Sequence, residues 1–191
     1  MTEDELRQAV VDTVRRMNTL GINQGTSGNA SVRLGEHMLI TPSGLPYEAM
    51  TAEDVVSVRL SDGSFEGRNG LQPSSEWRFH RDVLAARDDV DAVVHTHGVA
   101  VTTLACLHQD IPAFHYMIAV AGGDSIRCAP YALFGTQELS DYALAALADR
   151  KACLLANHGM IACGASLEKA LGLAVEVETL ACQYWRCLQV T

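Results

Sequence analysis

Ala92-Val-Val-His95-Thr-His97-Gly98 constrains this chain more than any other stretch. Its apolar, β-branched run calls for a strand, where successive side chains alternate between faces, so His95 and His97 point the same way. Two imidazoles on one face of a strand end can hold a transition metal at ~2.0–2.1 Å from nitrogen. The same spacing suits two solvated or hydrogen-bonded histidines. A third ligand, an acid/base and a substrate site have to come from elsewhere in the chain.

A chain of 191 residues is long enough for one domain with a substantial core. With 48% hydrophobic and 19% charged residues it reads as a globular protein rather than a disordered one. A net charge of −9 argues against bulk binding to nucleic acid or to an anionic membrane, so an anionic substrate has to be held by local geometry. The acidic start, Met1-Thr-Glu-Asp-Glu5, lacks the basic region of a secretory signal, and no stretch approaches ~18 uninterrupted apolar residues. Cys106, Cys128, Cys153, Cys163, Cys182 and Cys187 form no C-x-x-C pair and mostly sit in apolar runs. They fit buried thiols in a reducing cytoplasm, which is the expected location.

Leu6, Val10, Val14 and Met17 recur at helical spacing and predict a helix over 3–20. Residues 24–29 then form a turn-rich segment whose two glycines frame hydroxyls and an amide. It can offer backbone N–H groups to an anion or simply connect two elements, and it lacks the Gly-Lys-Ser/Thr ending of a P-loop. Strands are expected at 30–34 and 38–41, with a hairpin of 55–60 and 64–66 around Ser61-Asp62-Gly63. Pro73-Ser-Ser-Glu76 opens a helix to about Arg87, with Ser74 or Ser75 as cap and an N-terminus that favours an anion. Glu76 then falls in the first turn, where acids commonly compensate the dipole, and His80 lies one turn on as an ordinary helix-face histidine.

After the His95 strand come a helix at 99–107, a strand at 126–129 and a helix at 137–150 capped by Thr136. Within 111–121, His115 and Tyr116 read as half-buried residues at an element edge. Strands at 153–156 and 160–163 flank Asn157-His158-Gly159, where a lone histidine is usually structural. A final helix over 166–190 carries an apolar face wide enough for core or subunit packing. No repeat, low-complexity tract or linker is present. These elements predict a single α/β domain with a central, mixed, mostly antiparallel sheet flanked by helices. The chemical inventory is His95, His97 and His158 with the Glu76 carboxylate. Three histidines and an exchangeable fourth position form the ligand set of a catalytic zinc site.

Longer motifs carry a family resemblance: Leu20-Gly-Ile-Asn-Gln-Gly-Thr-Ser-Gly-Asn29, Met38-Leu-Ile-Thr-Pro-Ser-Gly44, Pro73-Ser-Ser-Glu-Trp-Arg-Phe-His80 and Ala92-Val-Val-His-Thr-His97. To these add Ile111-Pro-Ala-Phe-His-Tyr-Met-Ile-Ala119, Cys128-Ala-Pro-Tyr-Ala-Leu-Phe-Gly135 and His158-Gly-Met-Ile-Ala-Cys163. From Leu6 to Tyr184 the chain resembles the class II aldolase/adducin superfamily, and within it the L-fuculose-1-phosphate aldolases. The resemblance implies a three-layer αβα domain in which His95, His97 and His158 hold one Zn²⁺ per subunit. Glu76 is then the fourth ligand at rest and becomes the acid/base when substrate displaces it. Asn29, Ser43, Gly44, Ser74 and Ser75 cradle a phosphate, with Thr26 or Gly28 lining the pocket, which replaces the plain-loop reading of 25–29. Tyr116 reaches in from a neighbouring subunit to the aldehyde oxygen, in a four-fold homotetramer with its sites at subunit interfaces.

The implied reaction is reversible cleavage of a ketose 1-phosphate, such as L-fuculose 1-phosphate, to dihydroxyacetone phosphate and a short aldehyde such as lactaldehyde. Rival readings within the superfamily are a sugar-phosphate 4-epimerase, which carries Asp where Glu76 stands, and a methylthioribulose-phosphate dehydratase. An adducin-like assembly module, which lacks the metal site, is the non-enzyme rival. Thr96 stands where the resembling aldolases have Asn, and Asn157 where a second His is usual; both are expected to point away from the metal. The sequence stops at Thr191, before a mobile tail that in those aldolases supplies a further tyrosine, so the domain is expected to lack it.

Overall fold

The computed structural model describes residues 1–190. Helix α1 (Glu3–Thr19) starts at a capping box: the Glu5 N–H donates to Thr2 Oγ1 at 3.3 Å, and the Thr2 N–H donates to the Glu5 carboxylate at 2.7 Å. Its buried stripe of Val10, Val11, Val14 and Met17 lies against the sheet. The early hairpins follow as β1 (Asn29–Leu34), β2 (His37–Ile40), β3 (Val56–Arg59) and β4 (Phe65–Glu66). Then come α2 (Trp77–Ala86), β5 (Ala92–Thr96), α3 (Val99–Cys106), β6 (Arg127–Ala129), α4 (Gln137–Ala146), β7 (Ala152–Leu155), β8 (Gly159–Gly164) and α5 (Leu167–Leu188).

The eight strands form one sheet in the order β4-β3-β2-β1-β5-β8-β7-β6. Every neighbouring pair is antiparallel except β6 with β7. Alternation along β5 sorts the core: Ala92 and Val94 pack with α1, α3 and α5, whereas Val93 packs with α2 and α4. The sheet is thus covered on both faces, giving a single-domain, three-layer αβα architecture with a mixed, mostly antiparallel sheet, as expected. The expected apolar face of α5 is buried at Leu167, Ala170, Leu171, Ala174, Val177, Leu180 and Ala181. Each fully buried Leu or Val contributes roughly 1.5–3 kcal/mol, so this helix anchors its layer.

Two boundaries differ from expectation. Helix α4 stops at Ala146 rather than near 150, because the chain turns through a left-handed residue at Asp149, φ 58°. Helix α2 starts at Trp77, so Glu76 sits at the cap position with φ −99° and ψ 15°, outside the first turn. The Glu76 side chain makes no capping hydrogen bond to α2 and is instead engaged by Asn29, His95 and His158. No helix among the described residues is long and apolar enough to cross a membrane.

Candidate metal centre

Four chain segments meet at one end of the sheet: the end of β5, the start of β1, the β7–β8 turn and the entry to α2. Register brings them together, since Asn29 lies opposite His95 and Thr96 opposite Met160. His95 is fully buried, and its Nδ1–H donates to the Met160 carbonyl at 2.8 Å. That bond leaves the Nε2 lone pair facing the site, as a metal-bound imidazole requires. Nε2 of His95 is 3.1 Å from Glu76 Oε2, and Nε2 of His158 is 3.2 Å from Glu76 Oε1. These are ion-pair separations without hydrogen-bond geometry: His95 Nε2, Glu76 Oε1 and His97 Nε2 are all buried with no hydrogen-bond partner.

Unmet buried polar atoms cost about 1–3 kcal/mol each, so a cluster of them calls for a shared partner. One ligand atom from each of Glu76, His95, His97 and His158 lies within 4.8 Å of all the others. Three imidazoles and a carboxylate, with no thiol among them, suit a divalent transition metal at an open, catalytic-type site. Electrostatics agree. Burial pushes the Glu76 carboxyl up, but facing His95 and His158, with the Asn29 amide N–H, hold it below the ordinary carboxylate range. Burial lowers His95, yet Glu76 outweighs it and raises that imidazole, the same pull that favours a cation at this point. His97 is pushed down to about 3 and His158 to about 4, by burial first and then by His95 beside them. Both therefore present lone pairs at neutral pH.

Close backbone approach positions two of these ligands. A Cβ at Gly159 would lie 2.4 Å from the Thr96 carbonyl oxygen and 2.6 Å from His97 Cδ2. One at Gly28 would lie 2.6 Å from the His95 carbonyl oxygen. Gly159→Ala is expected to displace His97 and weaken metal binding by about 10–100-fold while the chain still folds. Titration against a chromophoric chelator measures this, and unchanged affinity would show that the His97 ring tolerates the shift.

A cavity of about 380 Å³ opens beside the cluster, lined by Thr26, Ser75, Glu76, His97 and His158, with Tyr131 and Phe134 at its wall. Hollows of about 820 and 810 Å³ elsewhere hold no convergent ligand set among the described residues, so size does not mark the site. A bridge between Pro42 and Pro73 sets Ser43-Gly44 beside Ser74-Ser75, through Ser43 N–H to Gln72 O and Ser74 N–H to Thr41 O, each 2.9 Å. Tyr47 Oη donates to the Gly28 carbonyl and holds that loop down. Asn29 is 3% exposed, and its amide is engaged with Glu76 and His80. Tyr116 is not brought to the cavity of its own chain; it stands 82% exposed on a short 3-10 helix, Tyr116–Ala121. Thr96 is buried between His95 and His97, and Asn157 takes up a left-handed turn with its amide 3.0 Å from His108 Nε2.

Three supporting residues escaped the sequence reading. The Oδ1 of Asn23 accepts from the His97 backbone N–H and from Ser27 Oγ, each at 3.3 Å. Glu178, on α5, accepts from the Ala100 and Val101 N–H groups at 2.8 and 3.0 Å, capping α3 just after His97. A carboxylate beside the apolar stripe of α5 was the available signal. His80 is not an ordinary helix-face histidine: it is fully buried, between Ser31 Oγ and Asn29 Oδ1. Burial, with repulsion from His95, pushes it from 6.5 down to about 3. A folded value below the unfolded one means that stability is complete above about pH 6.5 and falls as pH drops toward 3. Denaturant unfolding between about pH 7.5 and 5 should depend more steeply on pH in the native chain than in His80→Gln, by about one proton. Equal slopes would refute the assignment.

The model of the Class II Aldolase and Adducin N-terminal domain family matches residues 8–185. A 5-methylthioribulose-1-phosphate/5-deoxyribulose-1-phosphate aldolase of Rhodospirillum rubrum is 58% identical over 185 residues, covering 97% of this chain and 82% of that protein. L-fuculose phosphate aldolase of Escherichia coli K12 is 52% identical over 191 residues, covering 100% of this chain and 87% of the relative. A solved structure of L-fuculose 1-phosphate aldolase superposes with a TM-score of 0.93 at 37% identity, covering 97% of this chain and 87% of that one. With a family match across nearly its whole length and aldolases at these identities, the chain belongs to the class II aldolase and adducin family and is an aldolase of that family.

Proposed function

We propose that the chain is a zinc-dependent aldolase that reversibly cleaves a deoxyketose 1-phosphate to dihydroxyacetone phosphate and a short aldehyde. The observation that carries this reading is the convergence of Glu76 with His95, His97 and His158 beside a polar cavity. Zn²⁺ held by the three histidines supplies Lewis-acid stabilisation of the negative charge that develops on the substrate oxygens. Thr26, Gly28, Asn29, Ser43, Gly44, Ser74 and Ser75 seat the phosphate through backbone N–H groups and hydroxyls, which a chain of net charge −9 needs to do locally. In the cleavage direction the C4 hydroxyl passes its proton by way of Tyr116 to solvent, the C3–C4 bond breaks, its electron pair passes to the C2 carbonyl as an enediolate, and the aldehyde departs. Glu76, ionised at rest, takes a proton from solvent and delivers it to C3, so that one proton moves overall from the C4 oxygen to C3. Tyr116 of a neighbouring subunit acts at the aldehyde oxygen, in a homotetramer; its 82% exposure on a lone chain supports that placement. Cys106, Cys128, Cys153, Cys163 and Cys182, none of them in a disulfide, suit a reducing cytoplasm.

The similarity to a 5-deoxyribulose-type aldolase at 58% and to a fuculose-type aldolase at 52% favours a substrate with a methyl or thioether-bearing tail over a fully hydroxylated one. The exposed apolar side chains of Tyr131 and Phe134 at the cavity wall support the same preference. The purified chain is tested for dihydroxyacetone phosphate release from 5-deoxyribulose, 5-methylthioribulose and L-fuculose 1-phosphates, with epimer and dehydration products monitored in parallel. Release from one or more of them is the expected result. Epimer or water-loss product without release would replace the aldolase reading by the corresponding rival.

A further inference from the structure

Behind Glu76 runs a line of buried polar side chains, Asn29, His80 and Ser31, of which the chemistry above gives no role to His80 or Ser31. Asn29 Nδ2 is 3.0 Å from Glu76 Oε2, His80 Nε2 is 2.5 Å from Asn29 Oδ1, and Ser31 Oγ is 2.8 Å from His80 Nδ1. Asn29 and Glu76 are 3% and 4% exposed, and Ser31 and His80 are fully buried. Two local periodicities build this line. Residues 29 and 31 share a face of β1, while residues 76 and 80 lie one turn apart along the start of α2.

The polarity of the chain is set from its carboxylate end. An ionised carboxylate only accepts, so Asn29 turns its Nδ2–H toward Glu76. The Asn29 Oδ1 then faces His80 and has to accept, which puts the imidazole proton on Nε2. Burial keeps His80 neutral, with its proton affinity pushed down to about 3, so Nδ1 is a bare lone pair and the Ser31 hydroxyl donates to it. Every donor therefore points toward Glu76. Turning the Asn29 amide over would set its oxygen against a carboxylate oxygen and its NH2 against the His80 N–H. The Glu76 carboxylate, which has no proton to offer, disfavours that flip, and the Nε2 proton of His80 holds Asn29 against it from the other side.

We propose that His80 is a positioning residue for the aldolase reaction: through Asn29 it fixes the orientation in which the Glu76 carboxylate exchanges a proton with substrate carbon. The inference rests on the reading of Glu76 as the acid/base. A buried line with a single direction orients its end group more tightly than an isolated contact does, because no member can rotate alone without leaving two groups unpaired.

The test compares His80→Phe, which keeps a flat ring but removes both nitrogens, with His80→Gln, whose amide still donates to Asn29 Oδ1. Each variant is loaded with zinc, its metal is quantified, and dihydroxyacetone phosphate release is followed from 5-deoxyribulose and L-fuculose 1-phosphates. His80→Phe is expected to keep its metal and its KM while kcat falls by about 10–100-fold, and His80→Gln to regain most of that loss. An unchanged kcat in folded His80→Phe, or a Gln variant as impaired as the Phe variant, overturns the proposal. Where His80→Phe does not fold, nitrogen NMR of the native histidine rings decides: a proton on Nε2 supports the line, and one on Nδ1 overturns it. Glu76→Gln is assayed alongside to separate two kinds of failure. Near-normal turnover there removes the acid/base reading itself, whereas an impaired Glu76→Gln beside an unimpaired His80→Phe removes the positioning role alone.

Discussion

Glu76→Gln is expected to retain bound metal and phosphate affinity while losing about 10²–10⁴-fold in turnover, the usual worth of a positioned proton-transfer group. The substitution changes one atom and keeps the volume of a side chain that is 4% exposed. Its remaining oxygen can still accept from the Asn29 amide at the 3.0 Å site, so the buried hydrogen bond survives. Three imidazoles remain to hold the cation, and the proposed phosphate-binding residues Thr26, Gly28, Asn29, Ser43, Gly44, Ser74 and Ser75 are unchanged. What disappears is a group that can take up and release a proton. Facing His95 and His158 hold the carboxyl ionised despite its burial, so it rests in its basic form. Elemental analysis together with the rate of dihydroxyacetone phosphate release checks the prediction. A variant that turns over nearly normally would show that the proton moves through another group.

His97→Ala should be more severe, because it removes a ligand rather than a proton carrier. Metal content is expected to fall from about one ion per chain to a small fraction, and activity with it, since one of the three imidazoles is lost and the cation then depends on Glu76, the group the substrate has to displace. The fold should persist: His97 lies beyond β5, its ring lines the cavity, and its side chain makes no hydrogen bond to the core. Thermal unfolding monitored alongside metal content separates loss of the site from loss of the protein. The substitution also leaves a hole about the size of an imidazole ring that opens onto the cavity. Added imidazole should therefore restore part of both metal binding and turnover. Full metal occupancy with normal turnover in His97→Ala would remove the metal-centre reading altogether.

Gly159→Ala probes the same ligand from the neighbouring backbone, where a methyl group would collide with the His97 ring. Agreement between the two variants in which function they lose, and disagreement in how much, is the pattern expected if His97 is a ligand whose position matters.

Much of this molecule was legible from local rules. The period of two in Ala92–Thr96 put His95 and His97 on one side, and helical periodicity located α1 and the buried face of α5 almost residue by residue. The hairpin-rich first third implied an antiparallel sheet, and the longer motifs carried the family. These features depend on neighbours within about a turn or a hairpin, so the sequence states them directly. Position alone makes Glu76 a first-turn acid and His80 an ordinary helix-face histidine. Both readings failed because the start of α2 and the burial of its inner face are decided by what packs there. The union of Glu76, His158 and His95 depends on β1 and β8 flanking β5 in a particular register, and the line from Ser31 to Glu76 depends on α2 lying across β1. Contacts between residues dozens of positions apart are fixed by the way the layers pack together, and only the tertiary structure shows them.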